Sequence, residues 1–159
     1  MTLFTWYMIL INTLFWFICC FGTAFLVRKI PKSLYEKNQW IFNEYKAEKK
    51  FYKKIYLKKW KDKLPEWGKV WNFEKKNLKE ELDLNYIETF ILETKYAEIG
   101  HLVMAILGFA CIIVNPSDYS VMAIICSLVN VFVQLPFCFI QRYNRPRLIK
   151  LKKRLEKMV

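Results

Sequence analysis

Apolar and charged residues fall into long separate blocks along this chain of 159 residues, instead of being interleaved as in a soluble core. Leu3 to Val27, "LFTWYMILINTLFWFICCFGTAFLV", carries no charge over 25 residues. About 20 apolar residues suffice for a helix to cross the hydrocarbon core of a bilayer, so this run predicts a first span at about residues 3–27. Ile99 to Val114, "IGHLVMAILGFACIIV", is slightly short at 16 residues. Tyr96 and Ala97 can extend it, which predicts a second span at about 97–114 and places Glu98 and His101 near its boundary. "NPSD" (Asn115 to Asp118) reads as a tight turn, and Tyr119 to Ile140 predicts a third span at about 119–140. The expected fold class is an all-α integral membrane protein. Three transmembrane helices and a basic amphipathic helical region, cytoplasmic or interfacial, would form one membrane domain over residues 1–159.

Between the first two spans the pattern changes. "YEKNQWIFNEYKAEKKFYKKIYLKKWKDK" mixes aromatic residues with lysines, and Ile41, Tyr45, Tyr52, Tyr56 and Trp60 recur at helical spacing. One continuous helix lying along the lipid headgroups is expected, with lysines reaching toward anionic phosphates. The alternative is a charged helix packed on its neighbours. "KLPEWG" (Lys63 to Gly68) should end that helix through Pro65 and Gly68. A second helical stretch, from about Glu74, should lead into the second span, so that interfacial helices occupy about 33–96.

Charge then orients the spans. All 26 Lys and Arg lie in residues 28–98, which hold 18, or 141–159, which hold 8; the net charge is +12. With three spans these regions fall on one side. The positive-inside rule puts both, including the basic C-terminal tail 141–159, in the cytoplasm and the N-terminus outside. No Lys or Arg precedes the first span, so it reads as a retained anchor in the cell membrane and not as a cleaved signal peptide. Nucleic acid is rejected as a partner, because the basic groups follow the membrane interface. The five cysteines lie in the apolar blocks and form no CxxC pair, so no disulfide framework, metal site or cofactor is expected.

Candidate chemistry centres on "ETKYAEIGH". On a helix, Thr94, Glu98 and the sole histidine, His101, fall within about 60° of one another, and Glu93 lies roughly 80° from His101. Histidine suits general base work, with Glu98 as the nearest carboxylate to hold it. Ionisable groups at the edge of a span are costly and usually functional. The other reading, a boundary histidine satisfied by a backbone carbonyl, stays open. Glu98-x-x-His101 also matches half of a di-iron carboxylate site, but there is no second histidine to complete one. In the third span Asn130, Gln134 and Gln141 form a polar stripe about 40° wide, suited to interhelical hydrogen bonds. Beyond it Arg142, Arg145 and Arg147 cluster where Pro146 should end the helix. They suit phosphate binding or simple anchoring to lipid headgroups.

"QRYNRPRL" (Gln141 to Leu148), "ETKYAEIGH" (Glu93 to His101), "KKWKDKLPE" (Lys58 to Glu66) and "RKIP" (Arg28 to Pro31) together resemble the glycosyl-4,4'-diaponeurosporenoate acyltransferase family, small bacterial membrane enzymes of carotenoid biosynthesis. The resemblance runs from the end of the first span to Leu148. It implies fatty acyl transfer to the primary hydroxyl of a glucose carried by a carotenoid acid. It also implies that Glu93, Thr94, Glu98 and His101, with Gln141, Arg142, Tyr143, Asn144 and Arg145, line the site. On this expectation His101 is the base, and Glu98 and Glu93 are its carboxylates. Arg142, Arg145 and Asn144 meet donor phosphates or the oxyanion, and Arg147, Asn130 and Gln134 complete the binding surface. The partners would be an acyl donor, either acyl-CoA or a phospholipid, a glycosylated lipid acceptor, and membrane lipids. A homodimer would help enclose a site built on three spans. The competing class is a non-catalytic membrane protein that binds anionic lipids or assists assembly of a membrane complex.

Overall fold

The computed structural model describes residues 2–64 and 83–157. Among these residues every regular element is helical. Three helical runs are long and apolar enough to cross a membrane: Leu3–Lys29, Leu84–Val114 and Ser117–Leu155. Each predicted span lies inside one of them. The expected stop at Pro65 and Gly68, and the start near Glu74, lie outside the described residues. The chain divides into two compact units, one of Met1–Pro31 with Tyr96–Cys138, the other of Lys32–Lys95 with Phe139–Val159.

The first unit holds the apolar helices. α1 (Leu3–Phe17) starts at Thr2, whose hydroxyl accepts the Thr5 amide at 3.3 Å. A π turn at Ile18–Gly22 passes it into α2 (Thr23–Lys29). The second run comprises α6 (Leu84–Leu107), a 3-10 turn at Gly108–Ala110 and α7 (Cys111–Val114). After the Asn115–Pro116 turn, α8 (Ser120–Leu155) returns. Small residues allow the helices to approach closely: Ala105, Gly108, Ala123 and Ser127 are all buried. Without a hydrophobic drive between helices in lipid, such close packing and interhelical hydrogen bonds hold spans together. The Ser127 hydroxyl donates to the Gly108 carbonyl at 3.0 Å. A side chain at Gly108 would collide with the Asn130 amide and press on Trp16.

The second unit contains α3 (Lys32–Lys37), a 3-10 turn at Gln39–Phe42, α4 (Lys46–Lys54) and α5 (Leu57–Trp60), with the start of α6 and the end of α8. Its core is Tyr52, Leu57 and Ile140, with Ile55, Trp60, Phe139 and Tyr143 packed around them. Here the structure departs from the single helix expected through Ile41 to Trp60. The backbone is extended at Asn43 and Tyr45, where the Tyr45 amide donates to Glu48 Oε2 at 2.9 Å and starts α4 afresh. Tyr56 then breaks the run with φ 50°, the left-handed region that L-residues rarely adopt. The aromatic stripe is thereby divided. Tyr52 packs inward while Tyr45 and Tyr56 are exposed.

Pro146 also fails to end the third helix, since α8 continues to Leu155. Proline keeps a helical φ, and contacts on both sides of it hold the helix on course. Arg145 and Leu148 are buried, and Lys152 pairs with Glu88 at 2.6 Å.

Candidate functional site

In the first unit His101, on α6, meets the polar stripe of α8. His101 Nδ1 lies 2.7 Å from Gln134 Oε1. Gln134 Nε2 donates to Asn130 Oδ1 at 3.1 Å, and Asn130 Nδ2 donates to the Met104 carbonyl at 2.9 Å. This chain has a direction, and Met104 sets it. A backbone carbonyl only accepts, so Asn130 must turn its NH2 to Met104 and its oxygen to Gln134. Gln134 must then turn its NH2 to Asn130 and its oxygen to His101. An amide oxygen only accepts as well, so Nδ1 of His101 carries the proton. In the neutral ring the lone pair is therefore on Nε2, which has no hydrogen-bond partner among the described residues. Phe137 stacks on the imidazole, with centroids 4.9 Å apart and planes 13° off parallel, and the ring stays half-buried.

The expected carboxylate partner is thus replaced. His101 is held by Gln134, not by Glu98. Glu98 is 1% exposed, one turn earlier on the same helix, and its backbone carbonyl accepts the Cys138 thiol at 3.7 Å. Glu93 is half-buried on α6. Gln134 had shown in the sequence as part of the stripe, without any sign that it meets the histidine.

The second unit contains Thr94, Gln141, Arg142, Tyr143, Asn144, Arg145 and Arg147. Arg145 is 1% exposed, and its guanidinium is directed at protein groups. Nε donates to Thr94 Oγ1 at 2.8 Å, Nη2 to the Thr94 carbonyl at 2.9 Å, and Nη1 to the Phe42 carbonyl at 3.1 Å. The same cation lies 5.0 Å from the centroid of the Phe42 ring, and Lys95 Nζ lies 5.3 Å from it. Arg142 donates to the carbonyls of Ile41 and Asn43 at 2.8 and 2.9 Å and pairs with Glu48 at 2.8 Å. The 3-10 turn at Gln39–Phe42 and the extended residue Asn43 after it leave carbonyls that a continuous α-helix would have satisfied, and these guanidiniums satisfy them. Arg147 is exposed, stacks on Tyr143 and donates to its carbonyl. Gln141, Tyr143 and Asn144 are half-buried. Phe42, Lys95 and Glu48 had no signal in the sequence beyond an aromatic and charges in a basic stretch.

The fold and these contacts define a small helical membrane protein that holds a tautomer-locked imidazole among its apolar helices. The chain belongs to the glycosyl-4,4'-diaponeurosporenoate acyltransferase family, whose description matches residues 31–154. Proteins of that name from Staphylococcus aureus strains MRSA252 and N315 are each 30% identical to it, over 91% of this chain and 88% of theirs. No solved structure matches the chain.

Proposed function

We propose that the protein transfers a fatty acyl group to a sugar hydroxyl of a glycosylated carotenoid acid, with His101 Nε2 as general base. The hydrogen-bond chain from Met104 to His101 carries this reading, because it leaves the basic nitrogen open. The hydroxyl oxygen attacks the acyl carbonyl while its proton passes to Nε2. The new ester bond forms, the bond to the donor's leaving group breaks, and the imidazolium returns the proton to the departing thiolate or alkoxide. The family's name supports the acceptor class. Glu98, one turn earlier on the same helix, would favour the imidazolium as it forms. Gln134 and Asn130 act as positioning residues.

Within the second unit, of Arg142, Arg145 and Arg147 only Arg147 is exposed, and donor phosphates are its proposed ligand, with Gln141, Tyr143 and Asn144 near it in sequence. Arg142 and Arg145 hold the 41–43 segment. Lysines and arginines gather on one predicted side, which supports an N-terminus outside and the basic regions in the cytoplasm of a cell-membrane protein.

His101→Gln membranes should lose acyl transfer by roughly 10²-fold to 10⁴-fold while insertion and thermal unfolding are unchanged. Full activity would overturn the base assignment. Salt-sensitive liposome binding with no turnover by the wild type would favour the lipid-binding alternative, which the net charge of +12 supports.

A further inference from the structure

The first unit also contains a cavity of about 400 Å³, within the roughly 300–1,000 Å³ of ligand sites, between α1 and the Asn115 end of the other two spans. The two asparagines in its lining are closed to a ligand. Asn12 Nδ2 donates to Asn115 Oδ1 at 2.9 Å, and Asn115 Nδ2 donates back to Asn12 Oδ1 at 3.1 Å. Their remaining N–H groups go to the carbonyls of Met8 and Cys111 at 2.9 and 2.7 Å. Both NH2 groups are fully committed, so an occupant meets mostly apolar walls, Trp16, Met122 and Cys126 among them, with the Tyr119 hydroxyl as a polar exception.

Cys111 borders this cavity and lies ten residues beyond His101 on the same helical run, roughly 15 Å along its axis. The geometry points to a second subsite: the cavity receives the distal hydrocarbon end of the carotenoid chain whose sugar reacts at His101. The inference rests on the function proposed above. The acceptor, not the acyl donor, is the occupant for a reason of length and anchoring. The attacking hydroxyl must reach Nε2, so the rest of the acceptor has to continue along the span, and a stiff polyene reaches a distant pocket without the entropy loss of straightening a saturated chain. The cavity then acts as a ruler for acceptor length.

Cys126→Phe and Met122→Phe add bulk from exposed wall positions, so packing of the helices is spared. Both should lower kcat/KM for the glycosyl carotenoid roughly 10-fold or more, with a short-chain alkyl glucoside acylated as by the wild type. Equal rates with both acceptors, equal losses with both, or a shift in donor chain-length preference instead would overturn the subsite. Binding gives a readout independent of turnover. The polyene glycoside should quench Trp16 fluorescence in wild type and in His101→Gln, and Trp16→Phe should remove that component. Quenching without acylation by the wild type would sink the acyl-transfer reading and keep the cavity as a polyene site, while absent quenching would sink the subsite alone.

Discussion

Two amide clusters lie in the first unit, built from the same chemistry and ending differently. At the Asn115 turn, Asn12 and Asn115 bond to each other in both directions, and their spare N–H groups go to carbonyls of their own helices. That cluster is a closed ring with no open donor. The other cluster, Met104–Asn130–Gln134–His101, is a directed chain that starts on a carbonyl and ends on an imidazole whose Nε2 has no hydrogen-bond partner among the described residues. Asparagine and glutamine inside a span are therefore not diagnostic in themselves. What separates a helix clamp from a candidate site is whether the hydrogen-bond chain closes or leaves an end pointing outward.

The largest expected effect breaks the open chain at its end. His101→Gln keeps an amide near Gln134 but removes the base, and acyl transfer should fall by two to four orders of magnitude with the melting temperature in detergent unchanged. The next effect comes one link inward. Gln134→Leu removes the acceptor that fixes the proton on Nδ1. The ring then populates the wrong tautomer, and kcat should drop roughly 10-fold to 100-fold with KM unchanged, a milder form of the loss seen when a triad carboxylate is replaced. Gln134→Glu restores an acceptor to Nδ1 and should recover part of kcat. A loss confined to KM would mean that Gln134 touches substrate and does not position the base.

The closed cluster should respond in the opposite way. Asn115→Ala strands the Asn12 amide inside the span and should lower stability by about 1–3 kcal/mol, read by thermal unfolding, while kcat with a short-chain alkyl glucoside, which does not reach the cavity, stays within about twofold. An activity loss without a stability loss in this variant would erase the distinction between the two clusters.

Much of this architecture was legible in the sequence. Charge-free runs marked the spans, and the spacing of Asn130 and Gln134 marked one face of the third. The direction of the open chain was not legible, because it originates in the backbone carbonyl of Met104, a group every residue type carries. Arg142 and Arg145 read as a phosphate fork. They meet the carbonyls of residues 41–43 because the chain there passes from a 3-10 turn to extended backbone before the Glu48 cap restarts the helix at Tyr45, which no periodicity announces. The continuation of α8 through Pro146 depends likewise on contacts distant in sequence, such as Lys152 with Glu88.

The smallest predicted effect lies between the two clusters. Ser127 sits three residues before Asn130, and its hydroxyl bonds both the Ala123 carbonyl of its own helix at 2.7 Å and the Gly108 carbonyl across the interface at 3.0 Å. The hydroxyl has one proton, shared between these two carbonyls in the packed form and given to Ala123 alone in an unpacked one, so only the shared contact to Gly108 distinguishes the packed form. Interhelical hydrogen bonds of this kind average roughly 0.6 kcal/mol in membranes. Ser127→Ala should therefore lower stability by about that amount and leave kcat within error, since the close approach at Gly108 is set by the missing side chain there and not by the hydroxyl. A several-fold fall in kcat for so slight a change in stability would show that the open chain depends on the distance between α6 and α8 at this point. The two clusters would then be parts of one mechanical element, and the contrast between clamp and site would fail.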